Sequence, residues 1–211
     1  MSHAELDTPD PAPGSETPAA AARKRPKPGE RRVQILQALA TMLEQPGAER
    51  ITTAALAARL EVSEAALYRH FASKAQMFEG LIEFIEQSVF TLINQITERE
   101  ADVQTQAGRI VGMLIQFAEK NPGMTRVMVG DALVFENDRL QQRMNQFFDK
   151  IEASLKQCLR AAGDAAMPTV DAQVRASVLT AFIVGRLQRF ARSGFKRVPS
   201  EHLEQALARI L

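Results

Sequence analysis

The sequence predicts an all-α protein, and three observations carry that prediction. Apolar residues recur at helical spacing through most of the chain after about Glu30. Capping residues, glycines and prolines divide this pattern into segments of helical length. No alternating apolar and polar run of useful length competes as a strand, and no internal repeat is present.

Four helices are predicted in the first half of the chain, each bounded by a cap or a breaker. They run from about Glu30 to the stop at Gln45-Pro46-Gly47, from Thr53 to Leu60, from Ser63 to Phe71, and from the capping box Ser73-Lys74-Ala75-Gln76 to about Glu98. Residues 1–28 hold six of the ten prolines and no aromatic residue, so we expect a disordered arm there.

Further helices are predicted in the second half, again between breakers. They run from Val103 to Lys120 before Asn121-Pro122-Gly123, in shorter pieces between Met124 and Phe135, from Asp138 to Ala162 before Gly163, from Asp171 to Ser193 before Gly194 with Pro168 in the preceding loop, and after Pro199-Ser200. Cys158 lies between Leu155 and Leu159 on a helical face, which favours packing over redox chemistry.

Composition limits the class of protein. The 211 residues are 45% hydrophobic and 24% charged, as in a soluble globular chain with one large domain or two small ones. No apolar run reaches the roughly 18 residues of a membrane span, and the N-terminus has no signal-peptide pattern. The single Cys158 and three dispersed histidines (His3, His70 and His202) argue against a disulfide or a metal site. We therefore expect a cytoplasmic protein without a metal or cofactor.

Charge is concentrated at one end of the chain. Residues 1–22 hold four acidic residues and no Lys or Arg, 23–78 hold ten basic and five acidic residues, and 79–211 hold sixteen of each. The densest run is Arg23, Lys24, Arg25, Lys27, Arg31 and Arg32. A basic module on a neutral body indicates an anionic partner at one end, although a solvated basic tail alone would give the same run.

The segment from Thr53 to Phe71 has the pattern of a helix-turn-helix, in which the second helix enters the major groove of DNA. The residues expected to face inward are Val62, Ala66, Leu67 and Phe71, and those left to face outward are Ser63, Glu64, Ala65, Tyr68 and Arg69. Tyr68, His70 and Lys74 could contact phosphates. Spacing alone leaves an ordinary surface hairpin of helices as an alternative.

A family resemblance favours the DNA-binding interpretation. The stretches Ile51–Ala57, Val62–Phe71 and Ser73-Lys74 resemble the DNA-binding domain of the tetracycline-repressor (TetR) family over about residues 30–78. The resemblance implies a homodimer on palindromic double-stranded DNA, with a helix-turn-helix domain at 29–78 and an all-α dimerisation and regulatory domain at 79–211. The DNA-binding residues that it implies are Thr52, Thr53, Ser63, Glu64, Ala65, Tyr68, Arg69, His70 and Lys74.

A narrower resemblance covers patches of the whole chain. The stretches Met77-Phe78, Leu81–Glu86, Glu119–Gly123, Ala132-Leu133 and Phe135–Gln141 are similar to the nucleoid occlusion factors of this superfamily. Those proteins bind chromosomal sites and, when bound, antagonise the division protein FtsZ. The resemblance implies association with the nucleoid and a groove for the FtsZ tail at Phe84, Met113, Lys120 and Asn121, with Leu92 where relatives have a basic residue. The apolar pattern alone favours burial of the helix that carries Phe84.

Two long amphipathic segments, 138–162 and 171–193, predict a dimer interface. Pairing with a symmetry mate would bury their surplus apolar residues in a four-helix bundle. The residues expected at this interface are Phe147, Ile151, Phe182 and Phe190. Arg186, Arg189 and Arg192 are interpreted as a solvated or ion-paired helix face.

Two other functions remain open on sequence grounds. A ligand-responsive transcriptional repressor would need a large internal cavity with convergent polar groups in the C-terminal domain. An enzyme is not expected, because we find no Gly-rich phosphate loop, Ser-His-Asp set or plausible carboxylate pair.

Overall fold

The computed structural model describes residues 29–45, 50–160 and 168–211, with only the backbone of Pro168. The described residues form α-helices and a short 3-10 helix, Asp131–Leu133, and contain no strand. The α-helices are α1 Glu30–Leu43, α2 Thr53–Arg59, α3 Glu64–Tyr68, α4 Lys74–Arg99, α5 Val103–Lys120, α6 Pro122–Met128, α7 Asp138–Arg160, α8 Pro168–Arg192 and α9 Leu203–Ile210. The predicted arm at 1–28 and the stops at Pro46-Gly47 and Gly163 lie outside the described residues.

Three predicted boundaries are wrong for identifiable reasons. The helix expected to reach Phe71 ends at Tyr68, because the amides of His70 and Phe71 both turn back to the carbonyl of Leu67 at 2.9 and 3.1 Å. Pro168, expected in a loop, is the first residue of α8. Pro122 likewise starts α6 directly after α5, since the missing N–H of proline costs nothing in a first helical turn.

The first three helices, called here the N-terminal unit, surround a small apolar core. Ile35 and Leu39 of α1, Leu56 of α2, and Leu67 and Phe71 at the end of α3 are each 1% exposed or less. Only Leu67 is buried within α3 itself. Caps and side-chain hydrogen bonds must therefore position this short helix.

The remaining helices, α4–α9, form the body, in which α5 is central. Six of its side chains are fully buried against α4, α7 and α8, namely Ala107, Ile110, Val111, Leu114, Ile115 and Ala118. Asp102 caps this helix by accepting the amide of Thr105 at 2.7 Å. Hydrogen bonding from the side chain of Thr105, and then from its amide, lowers the pKa of Asp102.

The directions of three helices follow from their cross-helix contacts. Arg139 of α7 pairs with Glu79 of α4 at 2.5 Å, and Arg143 pairs with Glu86 at 2.6 Å, so α4 and α7 run in the same direction. The hydrogen bond to Glu86 raises the pKa of Arg143. Helix α8 returns along α7, with Gln173 donating to Glu152 at 2.6 Å. The end of α8 therefore lies at the same end of the body as the start of α4.

Helix α6 joins the N-terminal unit to the body. A Cβ atom placed on Gly123 would lie 1.9 Å from the carbonyl oxygen of Ala40, so α6 touches the backbone of α1 at a point that only glycine permits. On its other side, the buried hydroxyl of Thr125 donates to the carbonyl of Ala118 at 2.8 Å. Among the described residues, no helix is long and apolar enough to cross a membrane.

Candidate DNA interface and partner surfaces

Two side-chain caps position α2 and α3. The hydroxyl of Thr52 accepts the amide of Ala55 at 3.1 Å, and that of Ser63 accepts the amide of Ala66 at 3.3 Å. Such caps are worth about 1 kcal/mol each, which is substantial for helices of seven and five residues. Thr52 and Ser63 therefore have a structural role beside any contact with DNA.

A polar network joins α2 to α3. The hydroxyl of Thr53 donates to the carboxylate of Glu64 at 2.5 Å, and the hydroxyl of Tyr68 donates to Thr53 at 3.5 Å. Sequence reasoning placed Glu64 and Tyr68 on the outward face and Thr53 among the DNA-binding residues, but it did not predict the hydrogen bonds that join the three. Glu64 therefore uses a carboxylate oxygen to link α2 to α3 within the unit.

The end of α3 is held by α1. Arg32 donates to the carbonyl of His70 at 2.5 Å, and its guanidinium lies 4.1 Å from the ring centre of Phe71. We interpreted Arg32 only as part of a basic run, and no local sequence signal indicates this contact across 38 residues. Ala65, Arg69 and His70 remain exposed on the outer face.

Two cations of the N-terminal region are contacted by the segment after the 3-10 helix. The ammonium group of Lys74 forms an ion pair with Glu136, whose side chain is only 9% exposed. The guanidinium of Arg50 lies 4.6 Å from the ring centre of Phe135. Lys74 was expected to contact phosphate, and the structure gives it an intramolecular partner that sequence reasoning missed.

The predicted dimer interface needs correction at three of its four residues. Within a single chain Phe147 and Ile151 are 0% exposed and Phe190 is 4% exposed, so they belong to the core and offer no surface to a second chain. Phe182 is half-buried, with the guanidinium of Arg186 4.5 Å from its ring centre. The prediction failed because it did not separate the face that α7 and α8 present to each other from the face left outside.

The outward face of α8 instead carries three exposed valines. Val170, Val174 and Val178 are 54%, 57% and 47% exposed and follow each other at four-residue spacing, which places them on one stripe. The four-residue spacing can be read from the sequence, but the prediction favoured the larger side chains Phe182 and Phe190. We call these residues the valine stripe.

The residues expected to bind the FtsZ tail lie on two helices. Phe84 on α4 is 48% exposed, and Leu92 two turns later is 37% exposed, so this face of α4 is not buried. Lys120 is exposed, whereas the side-chain Nδ2 of Asn121 donates to the carbonyl of Phe117 at 2.7 Å and caps the end of α5. Met113 lines a concavity of about 630 Å³ between α5 and α9, and that lining includes none of the other three residues.

Within the described residues, side chains fill the space between the long helices of the body. The positions where α4, α5, α7 and α8 meet are filled by side chains with 0% exposure, namely Val89, Ile110, Leu114, Phe147, Ile151, Leu179 and Ile183. The concavities of about 470 and 630 Å³ are open and lie at the surface beside α8 and α9. Among the described residues, no cluster of His, Cys, Asp and Glu could hold a metal ion.

A capped helix-turn-helix on an all-α body defines the class of TetR-type DNA-binding regulators. The family model described as "Bacterial regulatory proteins, tetR family" matches residues 35–81, and "Tetracyclin repressor-like, C-terminal domain" of the SlmA-like group matches 101–210. The chain belongs to the family of the nucleoid occlusion factor SlmA.

Three proteins with that name illustrate the relationship. The chain is 53% identical to the protein from Idiomarina loihiensis, 52% to that from Photobacterium profundum and 51% to that from Vibrio cholerae. These alignments cover 82%, 82% and 83% of this chain and 89%, 90% and 91% of the relatives.

Solved structures support the fold. The fatty acid degradation regulator FadR from Bacillus halodurans has a TM-score of 0.72 at 14% identity, covering 88% of this chain and 97% of that one. A transcriptional regulator from Rhodococcus has a TM-score of 0.69 at 22% identity, covering 85% and 92%. The predicted all-α, TetR-like fold is confirmed.

Proposed function

We propose that the chain works as a homodimer that binds specific chromosomal DNA and, in that state, opposes the assembly of FtsZ. The observation that carries this proposal is the 53% identity to a nucleoid occlusion factor over 82% of the chain, which spans the N-terminal unit and the body alike. The ligand-responsive repressor is the less specific interpretation, since the solved regulators cited above share only 14% and 22% identity.

For DNA binding, the proposal places α3 in the major groove of each half-site. Ala65 and Arg69 are exposed for contact with base edges, and Tyr68 and His70 are exposed near the helix end for contact with phosphates. In this proposal residues 29–78 are the DNA-binding domain, and Lys74 exchanges Glu136 for a phosphate or binds both. The protein then associates with the nucleoid.

For dimerisation, the valine stripe of α8 is the proposed contact. Three valines that are about half exposed in the single chain form an apolar surface that a two-fold mate would cover. Residues 79–211 then provide both the dimer contact and the partner surface. Phe182, at the border of the stripe, is the one residue of the predicted interface that this arrangement retains.

For FtsZ, the proposed contact is the exposed face of α4 with the end of α5. Phe84 and Leu92 supply apolar surface, and Lys120 supplies positive charge at the rim. A short peptide can bind such a surface by seating a few apolar side chains. Met113 lines the concavity between α5 and α9, apart from Phe84 and Lys120. We therefore expect it to contribute least to this contact.

The test is retention of purified FtsZ by the immobilised full chain, with and without a duplex selected by the wild-type protein from a random pool. We expect retention to rise with the selected duplex and not with a scrambled one. Lys120→Glu should keep DNA binding but lose FtsZ, while the control Lys150→Glu, on exposed α7 surface, should behave as wild type. Absence of FtsZ retention by the wild type under every condition would leave the ligand-responsive repressor as the better interpretation.

A further inference from the structure

A basic surface lies at the end of α8 and in the loop that follows. Residues 186–197 contain five cations and no carboxylate, although 79–211 as a whole holds sixteen basic and sixteen acidic residues. Four of these cations are exposed, namely Arg189, Arg192, Lys196 and Arg197. We call these four side chains the α8 basic surface.

These four cations are not used within the described part of the chain. Arg186, the fifth, donates to the carbonyls of Pro199 and Glu201 at 2.8 and 2.7 Å and covers the ring of Phe182. By contrast, no side chain of the α8 basic surface has an ion pair or a hydrogen bond to another described residue. The predicted face of three arginines therefore divides into Arg186, which has a structural role, and Arg189 and Arg192, which have no partner among the described residues.

The loop that carries Lys196 and Arg197 is firmly held. The hydroxyl of Ser193 accepts the amides of both residues, at 3.1 and 2.9 Å. The amide of Phe195 donates to the carbonyl of Phe190 at 2.9 Å, and the two rings meet edge to face at 5.1 Å. The cations are thus presented on a fixed backbone, which lowers the entropy cost of binding a partner.

The position of this surface points toward the N-terminal unit. Because α8 returns along α7, it ends where α4 and α7 begin. There the guanidinium of Arg126 on α6 lies 5.4 Å from the ring centre of Phe195, and α6 in turn touches α1 through Gly123. The α8 basic surface therefore lies at the end of the body from which the helix-turn-helix extends.

The exposed face of α8 has two halves of different chemistry, and each suits a different kind of partner. Its first half carries the valine stripe and its second half carries Arg189 and Arg192. Valines can pack against the same residues of a symmetry mate, but arginines near a two-fold axis would repel their copies. This half of the face is therefore better suited to an anionic partner than to its own copy.

We propose that the α8 basic surface is a second contact for duplex DNA, made to phosphate oxygens outside the recognition helices and without base specificity. The inference rests on the DNA-binding and dimeric parts of the proposed function. A phosphate backbone supplies regularly spaced negative charge that four fixed cations can follow, and such contacts release counterions. An acidic protein segment is the competing partner and is one outcome of the test.

The experiment compares two full-length variants with the same loss of charge. The test variant is R189Q/R192Q/K196Q/R197Q. The control is R99Q/K150Q/K156Q/R160Q, whose positions lie at the C-terminal end of α4 and in the C-terminal half of α7, away from the α8 basic surface. Affinity for a long random-sequence duplex is measured by fluorescence anisotropy over a series of salt concentrations. The dependence of log affinity on log salt should weaken by about 0.9 for each lost phosphate contact, or about 3.6 in all, for the test variant alone.

Each result decides the matter. Equal salt dependence in the two variants overturns the proposal. So does a test variant that binds DNA as the wild type does but no longer binds polyglutamate, because an acidic protein would then be the partner. If the wild type shows no preference for a selected duplex over a random one, the proposed specific binding fails, while the comparison on random DNA still tests the α8 basic surface.

Discussion

The N-terminal unit and the body are stabilised in different ways. In α3 only Leu67 is buried, and the helix depends on the Ser63 cap, the Thr53–Glu64 hydrogen bond and the contact from Arg32. By contrast, α5 is held in place by a stripe of six buried side chains. Single polar groups should therefore control the geometry of α3, whereas only changes to the core or to an interface should alter the body.

The largest effect should come from the outer face of the body. If the valine stripe is the dimer contact, as proposed, V174D/V178D removes four valines from each dimer at about 1.5 kcal/mol each, which should raise the dissociation constant about ten-thousandfold. Sedimentation velocity should show folded monomers with unchanged helical circular dichroism. The control Q87D/T91D places the same charges on exposed α4 positions and should remain dimeric. A dimeric V174D/V178D would place the two-fold contact elsewhere.

A core substitution in the same body should act on folding instead. Phe147 is 0% exposed and meets Phe90 and Phe148 edge to face at 5.7 and 5.2 Å. Phe147→Ala should therefore lower the free energy of unfolding by about 3–5 kcal/mol in urea titrations. If Phe147→Ala instead gave monomers with an unchanged free energy of unfolding, Phe147 would belong to the dimer interface, as the sequence predicted.

The junction between the two regions should be sensitive at one glycine. Gly123→Ala pushes a methyl group against the carbonyl of Ala40, so we expect a loss of about 3 kcal/mol. Gly112→Ala is the matched change, because open space surrounds its Cβ position and alanine favours the helix by about 1 kcal/mol. Thermal unfolding measures both, and equal effects would contradict the close contact of α6 with α1.

The smallest effect should come from the polar network of the N-terminal unit. Thr53→Ala removes the hydrogen bond to Glu64 and should cost about 1 kcal/mol. Thr53→Ser retains the hydroxyl and should lose less than half as much. Affinity for the selected duplex, measured beside the unfolding transition, should fall with Thr53→Ala because the angle between α2 and α3 is no longer fixed. Unchanged affinity would show that packing alone sets that angle.

The sequence predicted the elements better than the surfaces. Caps such as Ser63 and Ser73 act within one turn, so the starts of α3 and α4 could be predicted from neighbouring residues. The contacts of Arg32 with His70 and of Lys74 with Glu136 join residues 38 and 62 positions apart, and no local pattern indicates them. Helical periodicity identified the apolar faces of α7 and α8, but which part stays exposed depends on how the two helices pack.

The exposed face of α4 illustrates the same limit for the candidate partner site. Periodicity left two options for Phe84, burial or exposure, and its 48% exposure decides between them. Phe84→Ala should therefore cost little stability, which makes it a usable probe of partner binding. The next residue along the chain, Ile85, is fully buried, so its side chain belongs to the core and offers no contact to a partner.

The most direct test of the central claim is FtsZ assembly measured by sedimentation, with the wild type, Tyr68→Ala and Lys120→Glu in parallel, each with the selected duplex. We expect the wild type to reduce the sedimented FtsZ and both variants to fail for different reasons. Tyr68→Ala should lose DNA affinity, and Lys120→Glu should keep it. Inhibition of FtsZ by Tyr68→Ala without bound DNA, or full inhibition by Lys120→Glu, would contradict the assignment of DNA binding and division control to separate regions of one chain.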